Sequence, residues 1–133
     1  MHTLATYIVE DSPVIRESLT ATLEELGPVK VVGSAEDEAG ALAWLAQTKT
    51  PADLVIVDIF LRRGSGLGVL RGARAQPHRA HMVVLSNYAT PDMRRRCLQL
   101  GAERVFDKSR DIDALIAYCG QLAADKAGRA APH

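Results

Sequence analysis

Hydrophobic and polar positions along the chain switch repeatedly between two periods. Leu4-Ala5-Thr6-Tyr7-Ile8-Val9 is a near-continuous apolar run that stops at Glu10-Asp11, the pattern of a strand buried on both faces. Ser12 and Pro13 then supply an N-cap and a first-turn proline. Ile15, Leu19, Leu23 and Leu26 follow at helical spacing until Gly27-Pro28 ends the helix. Val29 to Val32 predicts a second strand, and Glu38 to about Gln47 an alanine-rich helix with Leu42 and Leu45 on one side. Asp53-Leu54-Val55-Ile56-Val57-Asp58, the most hydrophobic strand of the chain, is the third. A loop, Arg62-Arg63-Gly64-Ser65-Gly66, leads to a short helix carrying Leu67, Leu70 and Ala73. His81 to Ser86 is the fourth strand, and Thr90-Pro91 opens a fourth helix with Met93, Cys97 and Leu100 inward until Gly101. Glu103 to Phe106 predicts a short fifth strand, and about Asp111 to Leu122 a last helix with Ile112, Leu115, Ile116 and Cys119 on its inner face.

Five strand–helix units in succession predict a doubly wound parallel α/β sheet. Crossovers in such a sheet are right-handed, and ligands bind at the carboxyl ends of its strands where the strand order reverses. Glu10, Asp11, Asp58, Ser86 and Lys108 all fall at carboxyl ends. One domain is expected over residues 1–122, with 123–133 as a short tail, disordered or a frayed helix end.

Length and composition narrow the function classes. The chain has 133 residues, enough for one domain with a real core. It is 47% hydrophobic and 24% charged, with 16 basic and 16 acidic residues. That balance suggests neither nucleic acid nor an anionic membrane as the main partner. No apolar run approaches the roughly 20 residues of a membrane span, and no basic-then-apolar leader is visible. Cys97 and Cys119 lie in helical patterns and are read as free buried thiols. These features together predict a cytoplasmic protein.

A carboxylate at the end of a core strand is costly unless it is solvated, paired or bound to a cation. Three carboxylates gathered at one edge suit a divalent cation with oxygen ligands, and Mg²⁺ usually completes its shell with water and phosphate oxygen. An aspartate can also act as a nucleophile and form an acyl phosphate. A lysine and a hydroxyl on the same rim would then neutralise and orient the phosphoryl group.

On these residues the chain resembles a bacterial two-component response-regulator receiver domain, from about Leu4 to Leu122. The matching marks are Glu10-Asp11, Asp58, Gly66, Ser86, and Lys108 within Phe106-Asp107-Lys108-Ser109. The resemblance implies the strand order 2-1-3-4-5. It implies that Asp58 accepts a phosphoryl group from a phosphohistidine on a sensor histidine kinase or histidine phosphotransfer protein. Asp11 and Asp58 would ligate Mg²⁺, with Glu10 direct or through water and the Phe60 backbone carbonyl as a further ligand. Ser86 and Lys108 would each hold a phosphoryl oxygen.

Three departures from the family pattern carry expectations. Arg62 stands where a proline often follows the phosphorylated aspartate, so a looser loop is expected. Val105 stands where an aromatic switch residue is usual, leaving Phe106 as the nearest aromatic to carry a rotation. Phe60 and Tyr88 are bulky and flank the expected path of a hydrolytic water, so slow loss of phosphate is expected.

The leading reading is a stand-alone response regulator that catalyses only its own phosphorylation and dephosphorylation. Its expected output is protein contact through the fourth helix, fifth strand and fifth helix, about Thr90 to Leu122, or a homodimer. The alternatives are a constitutive, unphosphorylated binding module and, well behind, an aspartyl-phosphate phosphohydrolase. Arg94-Arg95-Arg96 is read as a solvated helix face, and Trp44 as packing.

Overall fold

The apolar runs pair edge to edge in the computed structural model, which describes residues 3–47, 52–76, 80–87 and 89–130. Among these, β1 (Leu4–Val9), β2 (Val29–Ala35), β3 (Leu54–Val57), β4 (His81–Ser86) and β5 (Arg104–Asp107) form one parallel sheet in the order β2-β1-β3-β4-β5. This is the predicted order, and it reverses between β1 and β3, opening a crevice at their carboxyl ends. Four helices connect the strands, α1 (Pro13–Leu26), α2 (Glu38–Leu45), α3 (Gly66–Arg74) and α4 (Pro91–Gln99), and α5 (Ile112–Ala130) follows β5.

Side chains alternate across the sheet and divide the core into two halves. Tyr7, Val9, Val55, Val57 and Val84 meet Ala41, Leu45, Val69, Leu70, Ala73 and Cys97 of α2, α3 and α4. Leu4, Ile8, Leu54, Ile56, Val83, Leu85 and Phe106 meet Leu19, Leu23, Leu115, Cys119 and Leu122 of α1 and α5. Every residue of β3 is buried, which accounts for its unbroken apolar run.

The helix starts follow the capping residues. The Ser12 hydroxyl accepts from the Ile15 N–H at 3.3 Å, Asp37 Oδ1 from Gly40 at 2.8 Å, Ser65 from Gly68 at 3.0 Å and Thr90 from Met93 at 3.2 Å. Each such cap is worth about 1 kcal/mol.

Several boundaries differ from the sequence reading, among them β5, which runs Arg104–Asp107 rather than Glu103 to Phe106. β2 continues past Val32 to Ala35, because an edge strand alternates in exposure and need not be apolar throughout. Its register against β1 shifts between Thr6 and Tyr7. There the Tyr7 ring stacks on Trp44 at 3.9 Å and 17°, so Trp44 is packing, as read. α2 ends at Leu45 rather than Gln47. α5 does not stop at Leu122 but runs to Ala130, which corrects the expected frayed tail over its described residues. Leu122 and Ala123 are buried, and Lys126 Nζ donates to Asp53 Oδ2 at 2.8 Å and to the Thr3 carbonyl at 3.1 Å. Among the described residues, no helix is long and apolar enough to cross a membrane.

Candidate phosphoacceptor site

The sheet delivers its polar residues to one rim because each strand ends there. The Glu10 N–H donates to the Ala35 carbonyl at 3.0 Å and the Asp58 N–H to Val9 at 3.0 Å, so both backbones still belong to the sheet. Ser86 ends β4, and the Lys108 N–H donates to its carbonyl at 3.2 Å. The Lys108 ammonium lies between two of the acids, donating to Glu10 Oε1 at 2.5 Å and to Asp58 Oδ2 at 3.0 Å. All three side chains are shielded, with exposures of 3% for Glu10, 12% for Asp58 and 14% for Lys108. Burial by itself depresses the Lys108 pKa, but its hydrogen bonds to Glu10 and Asp58 and their charges outweigh that and raise it.

The turn carrying Lys108 is braced from both sides. Asp107 Oδ1 accepts from the Ser109 hydroxyl at 2.6 Å and from its N–H at 2.8 Å, which holds the Asp107 carboxyl below its usual range. Asp111 Oδ2 in turn accepts from the Asp107 N–H at 2.8 Å. Glu10 is held by the Ser12 N–H on Oε2 at 3.1 Å. Its carbonyl accepts from Arg16 Nη1 at 2.8 Å, a contact the sequence reading missed. Arg16 stands one helical turn beyond the Ser12 cap, and that spacing was the available signal.

Asp11 lines a cleft of about 220 Å³ with Glu36, Asp37, Arg62 and Arg63. Among the described residues, no three acidic, histidine or cysteine side chains converge as a ready-made metal cage. Of the expected Glu10, Asp11 and Asp58, the first and last are joined through Lys108. Two carboxylates this deep require a cation, and the ammonium supplies it. The donors still fit a hard divalent cation. They are oxygens throughout, and the Glu10 and Asp58 carboxylates against one Lys108 ammonium leave the cluster formally negative.

The loop after Asp58 is closed, contrary to the looseness expected from Arg62. Phe60 and Ser65 form an antiparallel bridge, the Gly66 N–H donates to the Ile59 carbonyl at 2.8 Å, and the Phe60 N–H approaches Asp58 Oδ1 at 3.4 Å. Gly66 is required here, since a Cβ at that position would collide with the Asp58 carbonyl. The Phe60 side chain is 51% exposed. Tyr88, the other bulky residue singled out, lies outside the described residues.

Strand alternation also separates the two switch candidates. Val105 shares a sheet face with Ser86 and packs against the α2–α4 half of the core. Phe106 points the opposite way, buried against Tyr118 with ring centroids 5.8 Å apart. Phe106 therefore does not stand in for an aromatic at Val105. The Val105 carbonyl is held instead by Arg94 Nη1 at 2.9 Å, and Arg94 Nε reaches the Ala89 carbonyl at 3.3 Å. The reading of Arg94 as part of a solvated face is corrected by these bonds.

Comparison with known proteins agrees with this fold. A probable transcriptional regulatory protein of Picosynechococcus sp. is 33% identical over 120 residues, covering 86% of this chain and 47% of the relative. A probable chemotaxis protein CheY of Rhizobium etli is 29% identical over 110 residues, covering 81% of this chain and 83% of the relative. This chain spans only 28–51% of the length of four curated relatives at 31–33% identity. The receiver domain of the Francisella response regulator 1452 superposes with a TM-score of 0.80 at 19% identity, over 93% of this chain and 99% of that one. A response regulator from Burkholderia pseudomallei, solved with a phosphorylated aspartic acid, calcium ion and citrate, superposes at 0.72 with 23% identity, over 96% and 73%. The family model for the response regulator receiver domain matches residues 6–119, and the chain belongs to that family.

Proposed function

We propose that Asp58 accepts a phosphoryl group from a phosphohistidine on a sensor histidine kinase or a histidine phosphotransfer protein, in a Mg²⁺-dependent reaction. The observation that carries this reading is the Lys108 ammonium held between Glu10 and Asp58 at the strand ends. Asp58 Oδ2 is engaged by Lys108, whereas Oδ1 meets only the distant Phe60 N–H among the hydrogen bonds described for this carboxylate. Oδ1 is the freer oxygen and attacks phosphorus. The phosphorus–nitrogen bond of the donor breaks, its electron pair returns to the imidazole, and an acyl phosphate forms on Asp58. Lys108 and the Ser86 hydroxyl then each bond a phosphoryl oxygen, which uses their adjacency at the ends of β4 and β5. Glu10, Asp11, Asp58 and the Phe60 carbonyl would hold Mg²⁺, which supplies charge neutralisation on the phosphoryl oxygens.

The chain acts in this reading as a stand-alone cytoplasmic regulator without turnover of a separate substrate. It signals through protein contacts of α4, β5 and α5, with a downstream protein or a second copy. Phe60, standing at the mouth of the site, slows hydrolysis of the acyl phosphate. The test is incubation with Mg²⁺ and acetyl phosphate, followed by intact-mass measurement. One added phosphate is expected on the wild-type chain and none on Asp58→Asn. Equal labelling of both would sink the assignment by placing the phosphate elsewhere, and no labelling of either would favour an unphosphorylated binding module.

A further inference from the structure

The loop between Asp58 and α3 is closed from outside as well as from within. Glu38, the first residue of α2, makes both external contacts. Its Oε1 accepts from the Ser65 N–H at 3.0 Å, and its own N–H donates to the Arg63 carbonyl at 3.2 Å. The loop is shaped around this side chain. Gly64 adopts φ +79°, and a Cβ there or at Gly68 would overlap Glu38 atoms. Ser65 links the clip to the site, because it caps α3 through Gly68 and bridges back to Phe60. Phe60 in turn contributes the N–H that meets Asp58 Oδ1. A chain of backbone contacts thus runs from Glu38 through Ser65 and Phe60 to the phosphoacceptor.

We infer that Glu38 is a positioning residue for the phosphoacceptor loop, fixing the Phe60 backbone relative to Asp58 in place of the proline that Arg62 displaces. The inference rests on Asp58 being the phosphoacceptor. Glu38 touches neither Asp58 nor any reacting atom, so its action is through the loop. Partners bonded directly to metal ligands are worth about 10–100-fold in cation affinity or activity, and Glu38, acting one contact further out through the loop, is expected at the low end of that range.

The test compares Glu38→Ala with Glu38→Gln, which keeps an acceptor oxygen for the Ser65 N–H. Three quantities are measured: the Mg²⁺ concentration giving half-maximal phosphorylation by acetyl phosphate, the rate at saturating Mg²⁺, and amide exchange over residues 59–66. Glu38→Ala is expected to raise the half-maximal Mg²⁺ concentration about tenfold and to speed exchange in the loop. Glu38→Gln is expected to stay near wild type in both. A purely structural role would lower the melting temperature of Glu38→Ala without moving the Mg²⁺ dependence, and that outcome overturns the inference. So does a Glu38→Gln variant as impaired as Glu38→Ala. If the wild-type chain itself takes no phosphate, the phosphoacceptor reading fails, and the positioning role fails with it. A labelled wild type beside an unaltered Glu38→Ala rejects the positioning role alone.

Discussion

Lys108 is the residue on which the rim depends, because two shielded carboxylates share its single charge. Its pKa is raised in the folded chain. The resulting stabilisation is complete below the unfolded lysine value of about 10.4. It is lost as pH climbs through the higher folded value. Lys108→Met removes that alkaline step and leaves Glu10 and Asp58 facing each other. At neutral pH the variant is expected to lose about 3 kcal/mol. Urea unfolding at neutral and alkaline pH measures the profile, and a pH-independent difference would contradict it. The acids were legible in the sequence because each stands where a core strand stops. The insertion of Lys108 between them was not, since it joins residues separated by 98 and 50 positions. Glu38 escaped notice for a related reason, its loop partners being backbone groups that carry no sequence signature.

At the scale of elements, runs buried on both faces were readable and edges were not. β3 has no exposed residue and wrote itself as an apolar block. β2 alternates, so its polar half passed for loop. The start of α4 was readable from Thr90-Pro91, but the bonding of its basic face was not. Arg94 joins the loop after β4 to β5 through the carbonyls of Ala89 and Val105, with Asp111 Oδ2 at 4.0 Å from Nη2. Removing a charged donor from such carbonyls costs about 1–3 kcal/mol. Arg94→Met is therefore expected to lower stability within that range and to speed amide exchange at the start of α4. Unchanged exchange there would show that the guanidinium contacts do not tie the two elements together. With Val105 small and Phe106 turned to the other face, Arg94 ties the Val105 backbone to α4 by a hydrogen bond.

Across the whole molecule, α5 is the longest element, starting beyond the Lys108 turn and reaching the amino ends of β1 and β3 through Lys126. Its 19 residues extend to Ala130, a rod of about 28 Å at the standard rise. Lys126 fastens the far part to Asp53 and Thr3. That pairing of positions 73 apart is why helical periodicity alone ended the element too early. The pair is partly exposed, so Lys126→Met is expected to cost no more than about 1 kcal/mol. Its clearer effect is faster amide exchange over the last turns of α5 with the melting temperature nearly unchanged; protection equal to wild type would mean that the packing of Leu122 and Ala123 anchors the helix unaided. The two halves of the core also differ optically. The chain has one tryptophan, Trp44. It is stacked on Tyr7 in the half built from α2, α3 and α4, and it shares α2 with Glu38. Intrinsic emission excited at the red edge of protein absorbance therefore reports on one half only. A spectral change on adding a phosphodonor would register movement of α2 against β1, whereas motion confined to α1 and α5 would remain dark.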